Sequence, residues 1–268
     1  SYYGGRSNLQ GRGFEGFDAR LAVDERNGLR QWQYYNRDFP LTGTPRRAVL
    51  AQSGEVAVTR SDLTWSTHSY GTGAQARHFA YVSATSRTSN AVGGAANGQP
   101  LGTEQVTYTI DLSTGTPLRE VRTVTEAVSG NGLRAGTTWR RETEYAGLFT
   151  DQGGDNWCLG RPTLVTETRS HSGTAGQAQA RRQSTSWDGF HCRPTQTVQS
   201  PGDPKRQVTT QFGYDVFGNV ATRTVTPVGL PARVGLRQPR NLPRGQPVVL
   251  DAGGSALRPL PDRRRHPH

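Results

Sequence analysis

Two stretches of this chain carry one pattern. "WDGFHCRPTQTVQSPG" (Trp187–Gly202) lies over "YDVFGNVATRTVTPVG" (Tyr214–Gly229) without a gap, at an offset of 27 residues. Aromatic-Asp falls on aromatic-Asp (Trp187-Asp188, Tyr214-Asp215), Phe190 on Phe217, Thr195 on Thr222 and Gly202 on Gly229. A looser third copy, "CLGRPTLVTETRSHSG" (Cys158–Gly173), shares Arg-Pro-Thr with the first. Each unit has a physical reading. The aromatic ring packs on a neighbouring ring or strand. The Asp accepts backbone N–H groups at the turn. Gly218-Asn219 supplies the left-handed turn position. A Thr/Val strand then returns with side chains alternating between faces. One such hairpin cannot bury its own apolar face, whereas stacked copies can.

The rest of the chain agrees with stacked hairpins. Apolar residues do not recur at helical spacing over any long window, but alternation does recur. Strands are predicted at Ala48–Gln52, Glu55–Thr67, Ala76–Thr88, Glu104–Leu112, Leu118–Val128, Thr137–Ala146, Thr163–Arg169, Arg182–Trp187, Thr195–Gln199, Arg206–Tyr214 and Val220–Val225. Turn signals separate them: Ser53-Gly54, Ser113-Thr114-Gly115, Gly130-Asn131-Gly132, Ser172-Gly173 and the Ser200–Pro204 run. The expected fold is all-β, an antiparallel hairpin-rich sheet. Leu, Ile, Val and Phe total only 48 of 268 residues, under the roughly 20% line below which charged chains tend to disorder. Thr, at 31, with nine Tyr and five Trp, favours a half-buried pleated surface instead. Thin sheets with small cores are expected.

Composition also sets boundaries. Residues 1–100 read as an upstream β region, 101–229 as the start of the repeat sheet, and 230–268 as a tail of another character. After Thr226 there is no Thr and no aromatic residue, and Arg, Pro and Gly recur. The tail reads as a disordered basic arm or as translation of a shifted frame, and either predicts disorder over 230–268. Residues 229–268 hold eight Arg and two Asp, about half of the net charge of +11. The remaining arginines are spread along strand-like segments, with one lysine (Lys205) in the whole chain. That spread argues against nucleic acid, whose binding clusters basic residues on one element. No apolar run approaches the ~20 residues of a membrane-spanning helix. The chain starts at Ser1 and contains no Met, and so reads as a segment of a longer polypeptide.

The Tyr-Asp-x-x-Gly-Asn unit resembles the YD repeat of bacterial Rhs proteins. "GRGFEGF" (Gly11–Phe17) followed by "YNRDFPLTG" (Tyr35–Gly43) resembles a motif pair of the toxin-complex B components (TcdB-like) and SpvB-like Rhs proteins, and "NWCLGRP" (Asn156–Pro162) fits the same families. The resemblance covers about residues 1–229. It implies a secreted bacterial protein whose repeats form a β-sheet shell around a C-terminal toxin. It also implies partners: other toxin-complex segments or subunits and an enclosed effector. The chain lacks the C-terminal core motif and the self-cleaving aspartyl protease segment of such shells, so it would not enclose a toxin alone. The structural residues so marked are Trp187, Asp188, Phe190, Tyr214, Asp215, Phe217, Gly218 and Asn219 in the repeats, with Phe14, Phe17, Phe39 and Pro40 as the upstream anchor.

No motif points to chemistry. "GRGFEG" satisfies G-x-G-x-x-G, but no strand-to-helix context surrounds it. "DQGGDN" (Asp151–Asn156) occurs once and reads as a glycine turn rather than a calcium loop. His68 and His78, with Asp62 near in sequence, lack a nucleophile-elbow motif. Cys158 stands three before Arg161 and Cys192 one before Arg193. That even difference keeps both on one sheet face, where a disulfide and a pair of buried thiols both fit. Two cysteines without paired histidines do not make a zinc site, and no cofactor is expected. The expected role is a structural scaffold that carries or shields an effector, not an enzyme. The rival is a cell-surface adhesin or carbohydrate-binding module using Trp32, Tyr34 and Tyr35, with a host surface as partner. A second rival, an enzyme, would rest on His68 or His78.

Overall fold

The computed structural model describes residues 1–127, 135–151, 157–172, 178–236 and 249–250. The chain divides into two compact units, residues 1–144 with 167–180, and residues 145–166 with 181–268.

In the first unit the chain runs through β1 (Tyr2–Tyr3), β2 (Arg6–Asn8), β3 (Gly13–Gly16), β4 (Ala19–Asp24), β5 (Leu29–Tyr35), β6 (Pro45–Ala51), β7 (Ala57–Tyr70), β8 (Arg77–Asn90), β9 (Pro100–Ile110), β10 (Pro117–Glu126) and the start of β11 (Thr138–Asp151). β2 and β3 form a hairpin of their own. The others make one antiparallel sheet in the order β1-β4-β5-β6-β7-β8-β9-β10-β11. Two of its connections, β4–β5 and β9–β10, are tight turns built on Asp. Gly28 donates to the Asp24 carbonyl at 2.8 Å, and Gly115 to the Asp111 carbonyl at 2.8 Å. The Asp111 carboxylate also accepts from Ser113 and Thr114, which holds its pKa below the usual carboxylate value. Aromatic and β-branched residues sit opposite one another across β7 and β8, as in Trp65↔Val82 and His68↔Phe79, the cross-strand pairs that stabilise a sheet.

The second unit comprises the end of β11, the start of β12 (Cys158–His171), most of β13 (Gln179–Asp188), then β14 (Arg193–Gln199), β15 (Val208–Tyr214), β16 (Val220–Pro227), β17 (Arg233–Leu236) and β18 (Val249–Leu250). These too are neighbours in chain order. The composition boundary at 100/101 falls in β9, and that at 229/230 falls in the turn after β16. Of the tail, Arg233–Leu236 pairs with β16 and Val249–Leu250 with β17. An open strand edge captures extended backbone of almost any sequence. Residues 237–248 and 251–268 lie outside the described residues, as do Gly130-Asn131-Gly132 and Gly173.

Among the described residues of each unit, the substantial contacts between elements join hydrogen-bonded strand neighbours. Each unit is thus a single layer, and its core is correspondingly slight. Among the described residues the buried apolar side chains are Ala19, Ala51, Val106 and Cys158. Most residues of β7 and β8 are half-buried on both faces.

Candidate functional site

The recurring aromatic-Asp turns of the second unit define its most specific geometry. Asp188 Oδ1 accepts the Phe190 N–H at 2.9 Å, and Asp215 Oδ1 accepts the Phe217 N–H at 2.9 Å. Asp215 also accepts the Asn219 N–H at 2.8 Å, and the Asn219 amide donates to its Oδ2 at 3.2 Å. The second carboxylate oxygen of Asp188 meets His191 Nδ1 at 2.8 Å. Both carboxyls are held below the ordinary range, Asp188 chiefly by His191 and Asp215 chiefly by the Asn219 N–H.

The ring before each Asp does a different job. Trp187 Nε1 donates to the Pro162 carbonyl at 3.0 Å, and the Tyr214 hydroxyl donates to the Pro194 carbonyl at 2.7 Å. The guanidinium preceding each proline lies over the same ring: Arg161 is 5.8 Å from the Trp187 centroid and Arg193 is 4.7 Å from that of Tyr214. An Arg-Pro pair from one copy therefore receives the aromatic of the next, by a hydrogen bond and a cation–π contact together. The same donor–acceptor pairing occurs outside the repeats, where Trp65 Nε1 donates to the Pro45 carbonyl at 2.8 Å. Arg161, Pro162, Arg193 and Pro194 were not singled out as partners from sequence. The signal was present, since Arg-Pro-Thr recurs upstream of each aromatic-Asp pair.

The two turns are not superimposable, although their sequences align without a gap. Gly218 donates to the Asp215 carbonyl at 3.0 Å, closing a four-residue turn, whereas Cys192 donates to the Asp188 carbonyl at 2.9 Å, one residue later. As a result Tyr214 pairs with Val220, but Trp187 pairs with Pro194, the counterpart of Ala221. A register shift lies just before each aromatic, between Ser186 and Trp187 and between Gly213 and Tyr214, so each return strand regains its ladder by a bulge. Gly218 takes a φ of +86, a region that suits glycine, and a Cβ there would stand 2.8 Å from Arg193 Nη1. Phe190 and Phe217 project outward, 76% and 87% exposed.

Upstream, Phe14 and Phe17 meet edge-on at 5.3 Å, with Tyr2 4.8 Å from Phe17. The peptide bond between Phe39 and Pro40 is cis. Arg12 lies over the Phe39 ring at 3.8 Å, and Arg6 reaches both the buried Glu15 (3.2 Å) and Asp38 (3.6 Å). The two motif blocks, Gly11–Phe17 and Tyr35–Gly43, are thus joined by arginines. The glycines of "GRGFEG" lead into and occupy β3, which is followed by β4 and not by a helix. Trp32 and Tyr34 stack on each other at 6.0 Å, with Tyr3 against Trp32 at 5.3 Å. Tyr35 donates to Gln33.

The remaining candidates are dispersed. His78 Nδ1 is 2.9 Å from Ser69 Oγ, and His68 packs edge-on against Tyr70. His78 pairs with Ser69 and His68 with Phe79, so the two histidines face opposite sides of the sheet. Asp62 is held by Arg47 at 2.5 Å and Arg60 at 2.7 Å. Residues 152–156 of "DQGGDN" lie outside the described residues. Among the described residues no group of three His, Cys, Asp or Glu is placed to hold a metal ion. A shallow groove of about 540 Å³ on the first unit is lined by Arg87, Glu104, Thr125 and neighbours. Cys158 and Cys192 both carry thiols, not the disulfide that their spacing allows, and their side chains are in hydrogen-bonding contact.

No family model matches the chain, and no curated protein matches it by sequence. By fold it is similar to the crystal structure of TcdB2-TccC3 without its hypervariable C-terminal region, with a TM-score of 0.56 and 10% identity. The match covers 96% of this chain and 21% of the other, so the chain spans about a fifth of that structure's length. At this identity the likeness is one of fold: a large antiparallel sheet.

Proposed function

We propose that this chain is a wall segment of an Rhs/YD-repeat protein of the toxin-complex B or SpvB type: a secreted scaffold that carries or encloses a separate effector and performs no chemistry itself. The single-layer ladder carries this reading. A sheet whose substantial strand-to-strand contacts, among the described residues, join hydrogen-bonded neighbours grows by adding hairpins, with stability set by nearest-neighbour terms. Its broad faces stay available to line an enclosed space. The fold shared with TcdB2-TccC3 supports the same reading. Its partners would be further segments or subunits of the same assembly and the cargo within.

The test is protease protection of the polypeptide encoded downstream in the same gene. Expressed with this chain and the further segments of the same assembly, that polypeptide is expected to resist digestion. In a Trp187→Ala/Tyr214→Ala variant that keeps its β-sheet circular dichroism, it is expected to be cut. Equal digestion beside both chains refutes the shell. A glycan array decides the adhesin reading: the scaffold binds no sugar, and binding lost on Trp32→Ala would favour the rival.

A further inference from the structure

The two cysteines are brought together by the ladder itself. β12 and β13 are sheet neighbours joined by seven residues, too few for the crossover that parallel neighbours need, so they run antiparallel. The bond from Trp187 to the Pro162 carbonyl fixes their register. Four residues back along β12 from Pro162 is Cys158; about as far forward from Trp187 is the turn that holds Cys192. The two thiols meet there, in hydrogen-bonding contact. Cys158 is fully buried, whereas Cys192 is partly exposed. Cys192 also holds a φ of +56, a conformation that non-glycine residues seldom adopt and that concentrates at sites where the surroundings over-determine the backbone. In the sister turn it is a glycine, Gly218, that takes the left-handed position.

We propose that Cys158 and Cys192 form a redox clip, oxidised by a disulfide reagent of the glutathione class to a bridge that fastens the start of β12 to the β13–β14 turn. The accessible Cys192 thiolate attacks one sulfur of oxidised glutathione, forming a mixed disulfide and releasing one glutathione thiolate. Cys158 then loses its proton and attacks the Cys192 sulfur, which forms the internal bridge and releases the second glutathione. Two protein thiols are oxidised and one glutathione disulfide is reduced. The order follows from burial, which pushes the Cys158 thiol up to about 11, so it waits as the resolving partner. Arg161 beside it favours the thiolate when it forms. The clip closes a loop of some 35 residues, long enough to restrict the unfolded chain appreciably.

The experiment treats the folded full chain with graded ratios of oxidised to reduced glutathione, quenches with acid, alkylates under denaturing conditions and measures intact mass. At the oxidising end the chain is expected to lose two hydrogens and take up no alkyl group, with a peptide map joining Cys158 to Cys192 inside one chain. Cys158→Ser is expected to stop at a stable glutathione adduct on Cys192. Cys192→Ser is expected to remain unmodified, its thiol being out of reach. A parent chain that stays doubly alkylated at the oxidising end, or that accumulates the adduct without closing, overturns the proposal. Should Cys158→Ser not fold, the parent and Cys192→Ser decide.

Discussion

Tyr214→Phe isolates the bond that clamps one repeat to the next. The substitution keeps the ring under Arg193 and removes only the hydroxyl that donates to the Pro194 carbonyl at 2.7 Å. The hydroxyl is half-buried, and burial raises its pKa, so water replaces it imperfectly. A neutral hydrogen bond of this kind contributes about 0.5–1.5 kcal/mol, and a buried acceptor left without its donor costs about 1 kcal/mol or more. The expected loss is about 1–2 kcal/mol. Tyr214→Ala also removes the cation–π contact, about 0.5–1 kcal/mol at a partly exposed site, and the ring's apolar burial, bringing the loss to about 2–4 kcal/mol. Because the substantial contacts among the described residues run along the ladder, the effect should be local. Amide hydrogen exchange is the assay. At about 1.4 kcal/mol per factor of ten, Tyr214→Phe should speed exchange in β15 and β16 about five- to thirtyfold. β5–β8, in the other unit, should be unchanged. Exchange within about twofold of the parent in β15 and β16 would show that the hydroxyl adds nothing beyond what water supplies. Uniform acceleration through both units would refute the nearest-neighbour picture itself.

Other predictions follow from the same turns. Asp188 and Asp215 have lowered folded-state pKa values, so the stability they contribute is fully present above the unfolded value of about 3.9 and is lost as pH falls through the folded value. A carboxyl NMR titration should place Asp215 below about 3.9, and a midpoint at or above that value would contradict the turn geometry. Gly218→Ala forces a Cβ into the left-handed region and against Arg193, an expected loss of about 1–2 kcal/mol in urea denaturation. By contrast Phe217→Ser, at a ring 87% exposed, should fall within about 0.5 kcal/mol of the parent. A large loss there would mean that the outward phenylalanine is covered.

Much of this fold was legible because its period is two. All eleven strands predicted from alternation between Ala48 and Val225 are present, and most ends fall within a few residues. The first five strands were not anticipated. β1–β3 are two to four residues long and rich in Gly and polar residues, too short for alternation to register. β4 and β5 carry a usable pattern, "ARLAVD" and "LRQWQYY", joined at Asn27-Gly28, a hairpin signal that was passed over. The repeat alignment located both Asp turns but not the one-residue difference in their closure. That difference depends on which N–H returns to the Asp carbonyl, and a gapless alignment carries no record of it. The partner of each aromatic was hidden for a related reason. The bond runs to a backbone carbonyl, which has no residue identity to recognise, and only the neighbouring Arg-Pro pair betrays it.

The imbalance of 31 arginines to one lysine is explained by the thinness of the sheet. With four buried apolar side chains among the described residues, the units cannot depend on a conventional core. Long side chains lying across the strands take over part of that role. Arg119 and Arg140 both grip Glu142, Arg122 meets Glu104 at 2.9 Å, Arg141 meets Glu120 at 3.2 Å, and Arg47 and Arg60 share Asp62. Their carboxylates are only 13–35% exposed. Single exposed pairs contribute little, about 0–1 kcal/mol, but the guanidinium offers a planar fork and its methylene stem covers apolar surface as it reaches across. Lysine would supply the charge without the fork or the stacking that Arg161 and Arg193 provide on Trp187 and Tyr214. In the first 228 residues the positive charge is therefore largely spent on the sheet's own glutamates, aspartates and rings. A surface so occupied has little left to offer a polyanion, and this is the physical argument for the proposed wall over a nucleic-acid binder in a chain so basic.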